Sequence, residues 1–260
     1  MTWKLGHEIK AILFDKDGTL IDFDKTWAET NRKGALIAAD GDAALADALL
    51  VACGMDPVTG KTRADSMFAA ANASEIAAHM VAHGSPFQPE ELMRRLDKTF
   101  VEGAESPWPI CDLKALMQEL AGAGLAVGIA SSDGEDSIRR TVEVLDLSSE
   151  IDFIAGYDSG HGPKPEPGML LAFAAHLGVK PSEIAMVGDN NHDMELARAA
   201  AAGAAIGVLS GTGTRQTLEE LADTLIGSVA DLPAMVAAQI IARPILSDVC
   251  LLYTSDAADE

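Results

Sequence analysis

A short apolar run that ends in two acids is the feature that most constrains the fold of this chain. Residues 10–14 read Lys-Ala-Ile-Leu-Phe, which is typical of a buried strand, and pass directly into Asp15–Thr19, which reads Asp-Lys-Asp-Gly-Thr. Acids two residues apart beyond a strand point in the same direction, where ligands bind in open α/β sheets. Gly18 allows the chain to turn sharply away. The segment therefore predicts an α/β sheet with an acidic pair at its carboxyl edge.

Three further motifs follow in order along the chain. Residues 125–130 form an apolar run that ends at Ser131 and Ser132, and residues 184–187 form another that ends in Gly-Asp-Asn-Asn-His-Asp. Lys164 stands between them in a proline-rich loop. Taken singly, these motifs also fit helix caps, a solvated lysine and acids in a first helical turn. Their fixed order and their positions at strand ends favour a phosphoryl-transfer site.

The alternation of strand and helix stops after Leu20 and resumes at Pro107, because the sequence between predicts helices only. Breaks at Gly, Asp and Pro divide this stretch into helices over 25–39, 42–53, 61–71, 74–83 and 89–103. Beyond it, the alternation predicts a doubly wound parallel sheet. We therefore predict a core of residues 8–20 and 107–249, with residues 21–106 inserted as an all-helical cap domain over the strand ends.

The four ordered motifs resemble those of the haloacid dehalogenase superfamily, and specifically its phosphatases with a helical cap inserted after the first motif. The resemblance covers roughly residues 8–249 and is greatest to the phosphoglycolate phosphatases. It implies a Rossmann-like core and an enzyme that hydrolyses a small phosphorylated metabolite. It also implies Mg²⁺ as cofactor and an aspartyl-phosphate intermediate.

The resemblance assigns the chemical steps to the acids of the first and last motifs. It implies that Asp15 is the nucleophile and that Asp17 is the general acid and then the general base. Mg²⁺ would be bound by Asp15, by the backbone carbonyl of Asp17 and by Asp189. Asp193 would hold a metal-bound water or fix the lysine of the third motif.

The remaining matched residues are implied to bind phosphate or to support the site. Ser131, the backbone N–H of Ser132 at a helix start and the ammonium group of Lys164 would hold the phosphate oxygens. The Thr19 hydroxyl would support the first loop. His192 inside the last motif could approach the phosphate, but we favour the interpretation that it is an exposed residue.

Two alternative functions stay open at this point. A phosphoglucomutase-like enzyme uses the same four motifs, so the core motifs do not separate it from a phosphatase. A non-catalytic binding protein that keeps the fold is opposed by the intact site residues. Four basic residues of the predicted cap are candidates for holding a second anionic group of the substrate, such as a carboxylate, or are solvated surface residues: Arg32, Lys33, Lys61 and Arg63.

Composition limits the partners and the compartment. The net charge of −21 over 260 residues opposes nucleic acid and anionic membranes, since both attract basic proteins. We find no apolar run of membrane-spanning length and no signal sequence. Cys53 and Cys111 form no paired framework, which favours a reducing cytoplasm. We expect a cytoplasmic monomer or homodimer that acts on a small phosphorylated metabolite.

The last eleven residues follow no pattern set by the preceding chain. Cys250–Glu260 resembles the in-frame translation of an adapter used to prepare sequencing libraries. We interpret it as an artefact of assembly and exclude it from reasoning about the fold.

Overall fold

A parallel β-sheet forms the centre of the structure, a computed structural model that describes residues 9–242. Within these residues the sheet has six strands in the order β3-β2-β1-β4-β5-β6, and each neighbouring pair is parallel. The strands are β1 Ala11–Phe14, β2 Ala126–Ala130, β3 Phe153–Ala155, β4 Ile184–Gly188, β5 Ala204–Val208 and β6 Thr224–Ile226. The strands that carry three of the four motifs are therefore neighbours, with β1 between β2 and β4.

Helices cover both faces of this sheet. They are α6 Leu113–Gly122, α7 Glu135–Val144, α8 Gly168–Leu177, α9 Asn191–Ala199, α10 Arg215–Leu218 and α11 Leu232–Ala242. Ile12 and Phe14 of β1 belong to one hydrophobic cluster, and Ala11 and Leu13 belong to another on the opposite face. A strand that is buried on both faces reads as a continuous apolar run, which is why residues 10–14 do not alternate.

Between β1 and α6 the chain forms helices, as predicted. They are α1 Phe23–Ala38, α2 Ala43–Cys53, α3 Met67–Ala70, α4 Ala73–Ala82 and α5 Pro89–Gly103. We call residues 23–103 the helical block. Its buried side chains, among them Trp27, Leu49, Met80 and Leu92, form a hydrophobic cluster distinct from the two clusters of the sheet. A doubly wound parallel sheet with an inserted set of helices confirms the predicted fold class.

The predicted helix over residues 61–71 is wrong, because only Met67–Ala70 is helical. Thr62 pairs with Met55 in an isolated bridge, and its backbone N–H donates to Asp24 at 3.0 Å. Asp65 has a positive φ of 53°, which is incompatible with a right-handed helix. Contacts with distant residues therefore override the local helical preference of this segment.

Other differences concern the ends of helices. α4 begins after Asn72, whose side chain accepts from the Glu75 N–H in a capping box, rather than at Ser74. α1 begins at Phe23, two residues before its predicted start at residue 25, and its N-cap is Asp22. None of these shifts moves a motif away from its strand end.

The two connections between the sheet and the helical block run side by side. Ile21 pairs with Pro109 in an antiparallel bridge. The Asp22 N–H donates to the Trp108 carbonyl at 2.8 Å, and the Ile110 N–H donates to the Leu20 carbonyl at 2.9 Å. The chain therefore leaves the sheet and returns to it through one short two-stranded ribbon.

No helix among residues 9–242 is both long and apolar enough to cross a membrane. The segment Cys250–Glu260, interpreted above as an artefact, lies outside the described residues.

Candidate active site

Three buried carboxylates meet at the carboxyl edge of the sheet. Asp15 follows β1, Asp189 follows β4, and Asp193 lies in the first turn of α9. One oxygen of each of these carboxylates lies within 4.8 Å of the others. The parallel arrangement of β1 and β4 brings the first and last motifs together, although they are far apart in sequence.

Lys164 joins two of these acids. Its Nζ donates to Asp15 Oδ1 at 2.7 Å and to Asp193 Oδ1 at 2.5 Å, and its side chain is fully buried. The second oxygen of Asp193 accepts from the Asn190 N–H at 3.1 Å. Burial alone would lower the pKa of Lys164, but the two carboxylates raise it above its usual value. The lysine is therefore a fixed positive charge beside Asp15.

The loop after β5 positions Asp189. The Thr212 N–H donates to Asp189 Oδ2 at 2.7 Å, and the Thr212 hydroxyl lies 3.2 Å from the same oxygen. A Cβ atom at Gly211 would stand 2.0 Å from that oxygen, so the close approach requires glycine. Thr214 of this loop caps α10, and the contact of the loop with Asp189 was not anticipated from the sequence.

The acidic cluster fits a divalent cation. Burial raises the pKa of Asp15 to about 7; Lys164 lowers it, and Asp193 and Asp17 raise it. Burial and the neighbouring acids also raise the pKa of Asp189 well above its usual value. Three carboxylates around one lysine leave negative charge without compensation, and hard carboxylate oxygens suit Mg²⁺ or Ca²⁺. Since both oxygens of Asp193 are already hydrogen-bonded, Asp15 and Asp189 are the better placed ligands.

Asp17 is held by two residues that sequence reasoning missed. The Trp27 indole N–H donates to its Oδ1, and Lys16 Nζ lies 2.8 Å from Oδ1 and 2.7 Å from Oδ2. Lys16 is buried, pairs also with Asp133 at 3.1 Å and lies 4.7 Å from the centre of the Trp27 ring. Burial raises the pKa of Asp17, and the bonds from Lys16 and Trp27 oppose this shift.

The strand-end serines lie beside this network. Ser131 is buried and its Oγ accepts from the Asp133 N–H at 3.1 Å, while Ser132 Oγ lies 3.4 Å from His192 Nε2. The prediction placed the Ser132 N–H at the start of a helix. Helix α7 begins at Glu135, so this N–H lies before the helix. The buried Thr19 hydroxyl has no hydrogen-bond partner among the described residues. Any support that it gives to the loop is by packing.

His192 is not the exposed residue that the sequence indicated. Its side chain is 13% exposed and faces Ser132 and Asp193. Burial lowers its pKa to about 4, against the opposing effect of Asp193, so the imidazole is neutral at pH 7. Its position on the cavity agrees with the alternative that His192 approaches the phosphate, and the exposed position was preferred because the sequence around it is polar throughout.

A cavity of about 570 Å³, part of it open to solvent, separates this edge of the sheet from the helical block. Its sheet side is lined by Asp15, Asp17, Ser131, Ser132, Asp133, Asp189 and His192. Its block side is lined by Phe23, Trp27, Asn31, Phe68, Ala69, Ala71, Ala73, Ile76 and Phe100. The four basic residues considered for a second anionic group are not among these lining residues.

Comparison with known proteins places the chain in a family. The sequence signature of the haloacid dehalogenase-like hydrolases matches residues 9–201. The chain belongs to this family. The phosphoglycolate phosphatase of Salmonella typhi is 27% identical over 215 residues, which cover 75% of this chain and 79% of that protein. The phosphoglycolate phosphatase of Escherichia coli K12 is 26% identical over the same shares.

Two solved structures share the fold. A putative haloacid dehalogenase-like hydrolase from Bacteroides fragilis superposes with a TM-score of 0.68 at 21% identity, over 86% of this chain and all of that one. CbbY from Rhodobacter sphaeroides, solved in complex with phosphate, superposes with a TM-score of 0.62 at 20% identity. The match covers 88% of this chain and 99% of that one. The comparisons confirm the predicted family, the fold and the prediction of a phosphoric monoester hydrolase resembling the phosphoglycolate phosphatases.

Proposed function

We propose that this protein is a Mg²⁺-dependent phosphatase that hydrolyses a small phosphate monoester, of about the size of phosphoglycolate, through an aspartyl-phosphate intermediate. One observation carries the proposal: the buried Asp15 carboxylate faces the cavity, contacts Lys164 at 2.7 Å and stands within a cluster of acids that fits a divalent cation. The phosphatases among its relatives support the same activity.

The first half-reaction transfers the phosphoryl group to the enzyme. A carboxylate oxygen of Asp15 attacks phosphorus in line with the ester oxygen, and the bond from phosphorus to that oxygen breaks. Asp17 gives its proton to the departing alkoxide, which leaves as an alcohol. Lys164, the Ser131 hydroxyl and the Ser132 N–H hold the phosphate oxygens. A divalent cation held by Asp15, the Asp17 carbonyl and Asp189 would supply charge neutralisation.

The second half-reaction restores the enzyme. The Asp17 carboxylate accepts a proton from water as that water attacks phosphorus, and the bond from Asp15 to phosphorus breaks. Inorganic phosphate leaves, Asp15 is again a carboxylate, and Asp17 is again protonated. The same carboxyl group must therefore both donate and accept a proton near neutral pH. Its burial, which raises its pKa, favours the protonated form that the first step needs.

We propose that residues 21–106 are a cap domain over a core of residues 8–20 and 107–249. Two contacts support this arrangement: Asn190 Nδ2 donates to the Ala69 carbonyl at 3.4 Å, and the Tyr157 hydroxyl donates to Asp97 at 3.1 Å. A cap in this position would exclude bulk water and restrict the site to small substrates. We propose a cytoplasmic monomer or homodimer without nucleic acid or membrane partners, in keeping with the charge of −21.

The test is release of inorganic phosphate from a panel of phosphate monoesters, measured with and without MgCl₂ and with no sugar bisphosphate added. We expect release with Mg²⁺, loss of release in EDTA and recovery when Mg²⁺ is restored. Isomerisation of a sugar phosphate without phosphate release would instead identify a mutase. Equal turnover in chelator would refute the role of the metal.

A further inference from the structure

We propose that the alcohol part of the substrate is uncharged and mainly apolar, and that its one hydrogen-bonding group meets the amide of Asn31. This inference rests on the proposed phosphatase activity and narrows its substrate class. It follows from the block side of the cavity, because the sheet side holds the groups that act on phosphate.

The block side offers a mainly apolar surface, to which one face of α1 contributes three residues. Phe23, Trp27 and Asn31 are four residues apart, so they lie on the same side of this helix and all line the cavity. The Trp27 and Phe100 rings meet edge to face with centroids 5.9 Å apart, which fixes the Trp27 ring. An apolar alcohol would leave water on entering this surface, and its binding would be favourable for that reason.

Asn31 provides a polar group on this surface. The residue is 3% exposed, and its Nδ2 has no hydrogen-bond partner among the described residues. The Trp27 indole N–H, the other polar group of this face of α1, is already bonded to Asp17. A buried amide donor without a hydrogen-bond acceptor destabilises the fold. A hydroxyl or carbonyl oxygen of the substrate would accept the hydrogen bond from this amide.

A second anionic group has no cationic partner in this cavity. Neither lysine nor arginine occurs among the lining residues, and four of them are aspartates. Of the four basic residues considered for this role, Lys61 pairs with Asp24 at 3.0 Å, Lys33 pairs with Glu102 and Arg32 pairs with Glu29 at 3.0 Å. The fourth, Arg63, does not line the cavity. A carboxylate on the alcohol would therefore lose its hydration without compensation. On this basis phosphoglycolate, which carries a carboxylate, is a poorer substrate than an uncharged ester of similar size.

The experiment compares two esters that differ in one distal group. 4-(Hydroxymethyl)benzyl phosphate and 4-carboxybenzyl phosphate have the same reacting centre, and benzyl phosphate serves as the reference without a distal group. We expect kcat/KM for the hydroxymethyl ester to exceed that for the carboxylated ester by at least about tenfold, because the carboxylate is desolvated without a partner. Phosphoglycolate and its amide form a second pair with the same expected direction.

Single substitutions test which residues cause the preference for the uncharged ester. Asn31→Leu should lower kcat/KM for the hydroxymethyl ester about fivefold more than for benzyl phosphate, because it removes one neutral hydrogen bond. Ala71→Lys should reverse the preference by placing a cation on the wall. Lys61→Gln and Lys33→Gln are matched controls outside the cavity, and they should leave the ratio between the charged and uncharged esters unchanged.

The outcomes separate this inference from the proposed function. Hydrolysis of the carboxylated ester as fast as or faster than its uncharged partner overturns the inference and leaves the phosphatase intact. A loss of that preference in Lys61→Gln would also overturn it, because it would place the selecting charge outside the cavity. Hydrolysis of none of these esters, nor of p-nitrophenyl phosphate, overturns the proposed function together with the inference.

Discussion

The two sides of the cavity are built by different physical means. On the sheet side, polar groups stand at the ends of parallel strands, and each is fixed by another polar group, as Lys164 fixes Asp15 and Asp193. On the block side, apolar side chains such as Phe23 and Phe68 come from helices that pack in a cluster of their own. The strand ends therefore bring the polar groups of the sheet side together, while side chains of the helices form the wall that we propose selects the alcohol.

The energetic cost of the two sides differs as well. Buried carboxylates near one another destabilise the folded state, and a buried ion pair seldom repays its desolvation. The sheet side therefore costs stability rather than adding to it. The block side adds to stability, because burying one large apolar side chain contributes about 1.5–3 kcal/mol to the free energy of folding.

Asp15→Asn should reduce phosphate release by a factor on the order of 10⁶, as removal of a nucleophile does in other hydrolases, because an amide does not attack phosphorus. The melting temperature should stay the same or rise, because burial raises the pKa of Asp15, so that its charged form costs stability, and because Lys164 keeps Asp193 as a partner. Steady-state phosphate release and thermal unfolding measure the two effects. Residual turnover near the wild-type rate would exclude Asp15 as the nucleophile.

Asp17→Asn should slow turnover by roughly 10²–10⁴, the usual contribution of general acid–base catalysis. The loss should be larger for an alkyl phosphate than for p-nitrophenyl phosphate, because a good leaving group needs less help from a proton donor. The measurement is kcat for both esters. An equal loss for both would show that Asp17 acts on something other than the leaving group.

Trp27→Phe should lower kcat by about tenfold, because it removes a hydrogen bond to a carboxylate while keeping an aromatic ring. That bond lowers the pKa of Asp17, so its removal should move the basic limb of the pH profile to higher pH. Phe23→Leu, four residues away on the same face of α1, is the control and should not move that limb. If the basic limb of the pH profile does not move in either variant, Trp27 contributes to the site only by packing.

The metal-free protein should lose stability as the pH rises from 4 to 7. The folded-state pKa of Asp15 is raised from 3.8 to about 7, so the folded state binds more protons than the unfolded state in this window. Mg²⁺ at ten times its dissociation constant should then raise the melting temperature by about 3 °C at pH 8. It should have almost no effect at pH 5, where protons compete for the carboxylates. A shift independent of pH would place the cation elsewhere.

Much of the sheet side could be predicted from sequence because three of the four motifs lie at the end of an apolar run. Asp15, Ser131 and Asp189 each follow such a run, so their order along the chain indicated one edge of one sheet. The pairing of Lys164 with Asp193 was among the expected roles of that acid. Lys16 was missed because a lysine between two acids is usually solvated, whereas here it is buried between Asp17 and Asp133.

The block side could not be predicted in the same way. Helical periodicity indicates which residues are buried, but it does not separate residues facing the cluster from those facing the cavity. Trp27 and Asn31 therefore looked like ordinary positions of α1. The segment before α3 was predicted as helix from its local sequence. The hydrogen bond that opposes this helical preference is accepted by Asp24, which is far away in sequence. Lys61 and Lys33 were candidates because of their charge alone. The sequence pattern did not indicate that they pair with Asp24 and Glu102.

The ribbon that joins Leu20–Asp22 to Trp108–Ile110 has a consequence for how the chain can vary. Because the ribbon holds the two ends of the insertion together, the distance between these ends at the sheet does not depend on the length or the structure of the insertion. Loop entropy grows only slowly with length, so doubling such an insertion costs about 0.6 kcal/mol. One catalytic sheet can therefore carry inserts of very different size at almost constant stability, and the polypeptide is modular at this point.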